Sequence, residues 1–117
     1  MIANVPLPMP VVFYRTGRGV AVVRDWLREL DPPDRNAIGL DLMRIQFRWP
    51  VGMRLCRPMG DGLWEVRSEL PSRRIARILF CVLARRIVIL HGFVKKTRAT
   101  PDAELALARR RRRELEE

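Results

Sequence analysis

The chain has 117 residues, 48% apolar and 31% charged: enough for one folded domain with one modest core, and too apolar for a disordered chain. Its net charge of +10 is uneven, with 7 cations and 5 acids in residues 1–53 against 16 and 8 in residues 54–117. That balance points to an anionic partner such as nucleic acid, an acidic protein or a membrane surface.

Two cysteines 25 residues apart, one histidine and no CxxC spacing give no basis for a metal site, and no cofactor is expected. Cys81 sits inside ILFCVL and reads as a buried, inert thiol in a cytosolic protein. No apolar run approaches the ~18–20 residues that span a bilayer, so no membrane partner is expected. The opening MIANVPLPMP lacks a cationic head and is proline-rich, so residues 1–10 read as a flexible lead-in and 11–117 as a single domain.

In chain order, VVFYR (11–15) is a β-branched and aromatic run, a first strand. Val20, Val23, Leu27 and Leu30 recur at helical spacing and predict a half-buried helix over 19–30, stopped at Asp31-Pro32-Pro33. Pro33 and Asp34 suit the first turn of a second helix, whose stripe Ile38, Leu42 and Ile45 carries it to about Arg48. After a turn at Met59-Gly60-Asp61-Gly62, LWEVRSEL alternates, with Trp64, Val66 and Ser68 on one face and Glu65, Arg67 and Glu69 on the other. RIARILFCVL is apolar on both faces, as a covered central strand is. A short link at Ala84-Arg85 leads to a further strand, RIVILHGFV. Thr100-Pro101-Asp102 then opens a last helix, with Thr100 as its cap, running into the arginine run 109–113. The layout is β-α-α-β-β-β-α: an α+β fold with two N-terminal helices and a C-terminal helix on one face of a small antiparallel sheet.

Two features of the charge pattern stand out. With a turn at 70–73, Arg67 falls opposite residues 75–77, and Arg77 lies within an otherwise apolar strand. An ionised group there costs several kcal/mol unless it is paired or reaches a cleft. Either a salt bridge to Glu65 or Glu69, or a phosphate at the floor of a groove, answers that cost. The second feature is the pair Lys95-Lys96, the only lysines among 23 cations, which together end a strand. His91 is either a packed edge residue or, as an imidazole, a proton carrier. Trp64 reads as core, and the arginine run as a solvated face or an auxiliary RNA contact.

Taken together, GLWEVR (62–67), RILF (77–80), ILHGFVKKTRATP (89–101) and ELALAR (104–109) form an ordered series. The series resembles the HigB branch of the RelE/ParE superfamily, the toxins of type II toxin–antitoxin pairs. The likeness is close over residues 60–113 and one of layout before that. It implies a RelE-like fold and a cytoplasmic, metal-independent mRNA endoribonuclease acting on the translating ribosome. It also implies a cognate antitoxin with a helix-turn-helix domain. The family's basic cleft maps onto Arg67, Arg77, Lys95 and Lys96, with His91 beside them and Arg73, Arg74 and Arg98 as further RNA contacts. This chain departs from RelE members in two ways. Its one tyrosine is Tyr14, far from the last segment, and Glu65 and Glu69 stand where those members have basic residues. The general base therefore stays open between Glu65 and His91. Rival readings are a ParE-like inhibitor of DNA gyrase and a non-catalytic nucleic-acid-binding protein.

Overall fold

The structure, a computed structural model, describes residues 8–49, 55–95 and 100–115, and of Lys95 the backbone alone. Eight elements follow in order: β1 (Val11–Phe13), α1 (Val22–Glu29), α2 (Pro32–Arg48), β2 (Cys56–Gly60), β3 (Leu63–Glu69), β4 (Ile75–Leu83), β5 (Arg86–Lys95) and α3 (Asp102–Leu115). The strands form one sheet in the order β1-β5-β4-β3-β2.

Three expectations change. First, the sheet is mixed, because β1 pairs parallel to β5 while every other pairing is antiparallel. The long excursion through both helices and the hairpins returns the chain to β1's side, where a parallel neighbour is sterically allowed. Second, the segment CRPMG is a strand. Asp61 and Gly62 both have positive φ, 56° and 75°, the two-residue hairpin turn that an Asp-Gly pair favours. Such a turn needs a strand on each side, and β2 is the missing one. It tolerates Pro58 because it lies at the sheet edge.

Third, the helices do not share a face. Alternation along β4 separates Ala76, Ile78 and Phe80 from Leu79 and Cys81. The first set packs under Val23 and Leu27 of α1 and Ile38, Leu42 and Ile45 of α2. The second packs with Leu63, Val88, Leu90 and Tyr14 under Ala108 and Leu105 of α3. A sheet with apolar side chains on both faces must be covered on both, and the two-sided pattern of β4 needs exactly one helix layer on each side.

Local chemistry fixes these contacts. On the α1 side Trp26 lies flat on β5: a Cβ at Gly92 would sit 2.6 Å from its ring, so only glycine admits the contact. Trp49 packs edge-on against Trp64 at 4.8 Å and Phe80 at 5.6 Å, which places Trp64 in the core. Both cysteines are buried and unbridged. Burial, with Asp41 adding a smaller push, raises the Cys56 thiol to about 12, so it stays protonated and inert.

Candidate anion-binding face

On the α3 side of the sheet, α3 covers only part of the surface. Beyond it lies a charged patch whose geometry follows from the strand register. Arg67 of β3 pairs with Arg77 of β4, which pairs with Phe93 of β5, making one cross-strand row. The next row runs Arg57, Glu65, Leu79 and His91 across β2, β3, β4 and β5. The backbone of Lys95 pairs with Ile75, one row further out. Directly opposed Arg67 and Arg77 repel unless an anion intervenes.

The anion that neutralises Arg77 is Glu65. It sits diagonally across from Arg77, and its Oε1 accepts Arg77 Nη1 and also Arg57 Nη2 at 3.1 Å. Its Oε2 accepts the Thr100 hydroxyl. Glu65 and Arg77 are each 2% exposed, so this is a buried ion pair with its hydrogen bonds supplied from three separate segments. Arg57 is half exposed and Arg67 is exposed. Among the described residues Arg67 makes no ion pair. It also borders a groove at the sheet edge shared with Asp41, Arg44, Leu55 and Glu69. Two arginines thus bond one buried carboxylate, and the exposed Arg67 adds a third cation further along the same strand face, beside Glu69.

His91 closes the α3 side. Its Nε2 donates to the Glu104 carboxylate, its ring stacks on Phe93 at 5.6 Å, and Arg111 Nη1 approaches Nδ1 at 3.5 Å. Arg111 also donates to the Leu90 carbonyl at 2.8 Å and lies over the Tyr14 ring at 5.1 Å. Burial lowers the Arg111 pKa from its usual high value. Tyr14 in turn donates to Glu114, which raises its pKa, with burial adding to the shift. These groups link α3 to the sheet, and both ring nitrogens of His91 are turned toward them. Tyr14 belongs to the same set and lies under α3, outside the charged patch.

Of the residues singled out from the sequence, Arg67, Arg77 and His91 come together on one face. Arg74 does not: its Nη2 reaches Asp34 on α2 at 3.2 Å, and its Nε reaches Ser72 Oγ at 3.1 Å. Arg73 holds a positive φ of 66° in the β3–β4 turn and is exposed. Lys96, Arg98 and the Lys95 side chain lie outside the described residues. Two participants were missed. Arg57 went with the unread strand β2, and Thr100, expected to cap α3, gives its hydroxyl to Glu65. The Asp61-Gly62 turn was the signal for the first. Among the described residues no group of histidines, cysteines and acids is placed to hold a metal, and no helix is long and apolar enough to cross a membrane.

The family described as Phage derived protein Gp49-like (DUF891) matches residues 25–113, which take in α2, β2 to β5 and nearly all of α3. No curated protein matches the chain.

Proposed function

Because the chain belongs to the phage-derived Gp49-like family, a RelE/HigB-like toxin family of toxin–antitoxin systems, we propose that it is a toxin that cuts mRNA on the face carrying Arg57, Arg67 and Arg77. The observation that carries this reading is the cationic row itself: exposed Arg67 opposite Arg77 across β3 and β4, beside half-exposed Arg57, which shares the Glu65 carboxylate with Arg77.

RNA brings its own nucleophile, the 2′-hydroxyl beside the scissile phosphate. Cleavage then needs that hydroxyl held in line, and donors for the charge that builds on the phosphorane oxygens. Attack forms the 2′-oxygen–phosphorus bond and breaks the bond to the 5′-oxygen, giving a 2′,3′-cyclic phosphate and a 5′-hydroxyl. Arg67 and Arg57 present planar forks suited to the non-bridging oxygens. Arg77, held by Glu65, fixes Arg57 through the shared carboxylate and supplies positive potential from below. Lys95 and Lys96 hold the backbone and assist the leaving oxygen, with Arg73 and Arg98 as outer contacts.

Of the two candidates for general base, Glu65 is the weaker, because its two oxygens already accept three donors. His91 is committed to Glu104 and Arg111, and acts as the base only if α3 shifts. The reaction therefore rests on positioning and charge more than on a strong base. A cognate antitoxin with a helix-turn-helix domain, the translating ribosome as the place of action and a cytoplasmic location complete the proposal.

One observation favours a second reading, a ParE-like inhibitor of DNA gyrase: Arg77 is satisfied inside the fold by Glu65. A single induction experiment separates the two. Mapping RNA 5′ ends after expression should reveal new 5′-hydroxyl ends in messages, absent with Arg67→Ala. Growth arrest with a DNA-damage response and no new RNA ends overturns the nuclease reading.

A further inference from the structure

On the outer side of α2 lies an apolar stripe that packs against no core cluster of the described residues. Leu40, Met43 and Phe47 are 55%, 50% and 58% exposed and recur at i, i+3 and i+7, so they align on one helix face. The buried residues Ile38, Leu42 and Ile45 hold the other face to the sheet. Single exposed apolar residues are ordinary on a protein surface, but three in register along one helix form a strip.

Gly39 lies beside that strip. A Cβ there would meet nothing within 4 Å, and its φ is not in the left-handed region. Among the described residues neither crowding nor backbone conformation accounts for a glycine in the middle of a helix, where alanine would be more stable. Close approach by another backbone does account for it.

The surrounding charge says which kind. Arg44 and Arg48 flank the strip and are exposed, while the only acids of α2, Asp34 and Asp41, are buried on its sheet-facing side. Arg44 keeps Asp41 as its partner at 2.8 Å yet stays more than half exposed. A second copy of this chain, itself at +10, would be repelled. A lipid surface would have no use for the opening at Gly39.

We propose that the Leu40–Met43–Phe47 strip, opened at Gly39, docks an acidic amphipathic helix of the protein that neutralises this chain. This rests on the toxin reading for the existence of that protein. Arg44 at the rim of the strip lines the same edge groove as Arg67, but Gly39, Leu40, Met43 and Phe47 do not line that groove, so these four can be altered without touching the cationic patch. An i, i+3, i+7 anchor pattern is the usual way a helix is read by such a surface.

The test uses the full chain and the candidate antitoxin, the small neighbouring helix-turn-helix protein that the toxin reading expects, titrated by calorimetry. Phe47→Glu, checked for folding by circular dichroism, should weaken the complex at least 100-fold while still arresting growth, and the partner should no longer relieve the arrest. Gly39→Leu supplies an independent variant: it should fold with an unchanged or higher Tm and bind at least 10-fold more weakly. Hydrogen exchange in the wild-type complex should show protection concentrated in residues 36–47. Binding of Phe47→Glu within twofold of wild type overturns the docking face. So does failure of the neighbouring protein to bind the wild-type chain, or tighter binding of the strip to anionic phosphatidylglycerol vesicles than to that protein. Outcomes for the two proposals separate cleanly. Arrest by the wild type with normal binding by both variants leaves the toxin and removes the docking face. Lost binding in the variants of a chain that never arrests growth does the reverse.

Discussion

Two of the buried carboxylates, Asp41 on one face of the sheet and Glu65 on the other, are held in different ways. On the α1–α2 face Asp41 accepts Ser68 Oγ at 2.6 Å and Arg44, three residues along its own helix, at 2.8 Å. On the α3 face Glu65 accepts from Arg57 of β2, Arg77 of β4 and Thr100, just ahead of α3. The first is a local stitch between a helix and a strand, satisfied by what lies next to it. The second gathers three separate segments and still leaves guanidinium groups in excess. A fold needs the first kind of contact. The second kind concentrates like charge at a cost that stability alone does not explain, which is why the site is assigned to that face.

The largest effect should come from breaking the second carboxylate's pairing. Glu65→Ala leaves Arg77 buried without its ion-pair partner and should destabilise the chain by about 3–5 kcal/mol in urea unfolding. Replacing both, Glu65→Met with Arg77→Met, removes the buried charges together and should recover most of that loss, yet abolish growth inhibition. A double variant that is both stable and fully toxic would reduce the pair to a core feature and erase the contrast between the faces.

On the other face the same operation should be milder and functionally silent. Ser68→Ala strips one donor from Asp41, which keeps Arg44, so a loss of about 1–3 kcal/mol is expected with toxicity unchanged. Loss of RNA cleavage in a folded Ser68→Ala protein would mean that the two faces are coupled.

The faces also titrate in opposite directions. Asp34 on α2 accepts Ser72 and Arg74, and these bonds hold its carboxyl below the usual range, with the Ser72 contact first. A lowered folded pKa contributes stability above the ordinary aspartate value of about 3.9, lost as pH falls through the folded pKa. Asp34→Asn should therefore flatten the acid limb of the stability curve. Under α3, the bond to Glu114 and then burial raise the Tyr14 pKa. Its contribution is intact below about 10 and declines as pH rises through the folded value. Tyr14→Phe should remove that alkaline decline while leaving the acid limb alone.

The cationic row was legible in the sequence because its register is local. The turn at 70–73 places Arg67 opposite residues 75–77, which the structure narrows to Arg77, and β4's two-sided apolarity identifies the central strand. The carboxylate beneath the row was not legible in the same way. Glu65 alternates with Trp64, and the sequence offers Glu65 or Glu69 as partner of Arg77 without choosing between them. Glu65 is buried because Arg57 and Thr100 close over it, one from a strand hidden by its proline and the other 35 residues away. Strand alternation gives the face of a side chain but not what covers that face. Helix placement failed for a related reason: α3 has apolar residues on one stripe, and nothing in that stripe says which side of a two-sided sheet it meets.

The smallest effect on stability is expected where the functional effect is greatest. Arg67 is exposed and, among the described residues, makes no ion pair, so Arg67→Ala should shift unfolding by less than about 0.5 kcal/mol. Arg67 nevertheless shares a row with Arg77 and Phe93 on the open side of the sheet, where a phosphate can reach it without disturbing Glu65. Removing one preorganised donor to a developing oxyanion typically costs about 2.7–4 kcal/mol, on the order of 100- to 1,000-fold in rate. Arg67→Lys keeps the charge but loses the planar fork, and should recover RNA affinity in salt titrations more fully than it recovers cleavage. Equal recovery of both by lysine would make Arg67 a general electrostatic contact, and the oxyanion role would pass to Arg57. No loss of cleavage in Arg67→Ala would move the chemistry off this face altogether.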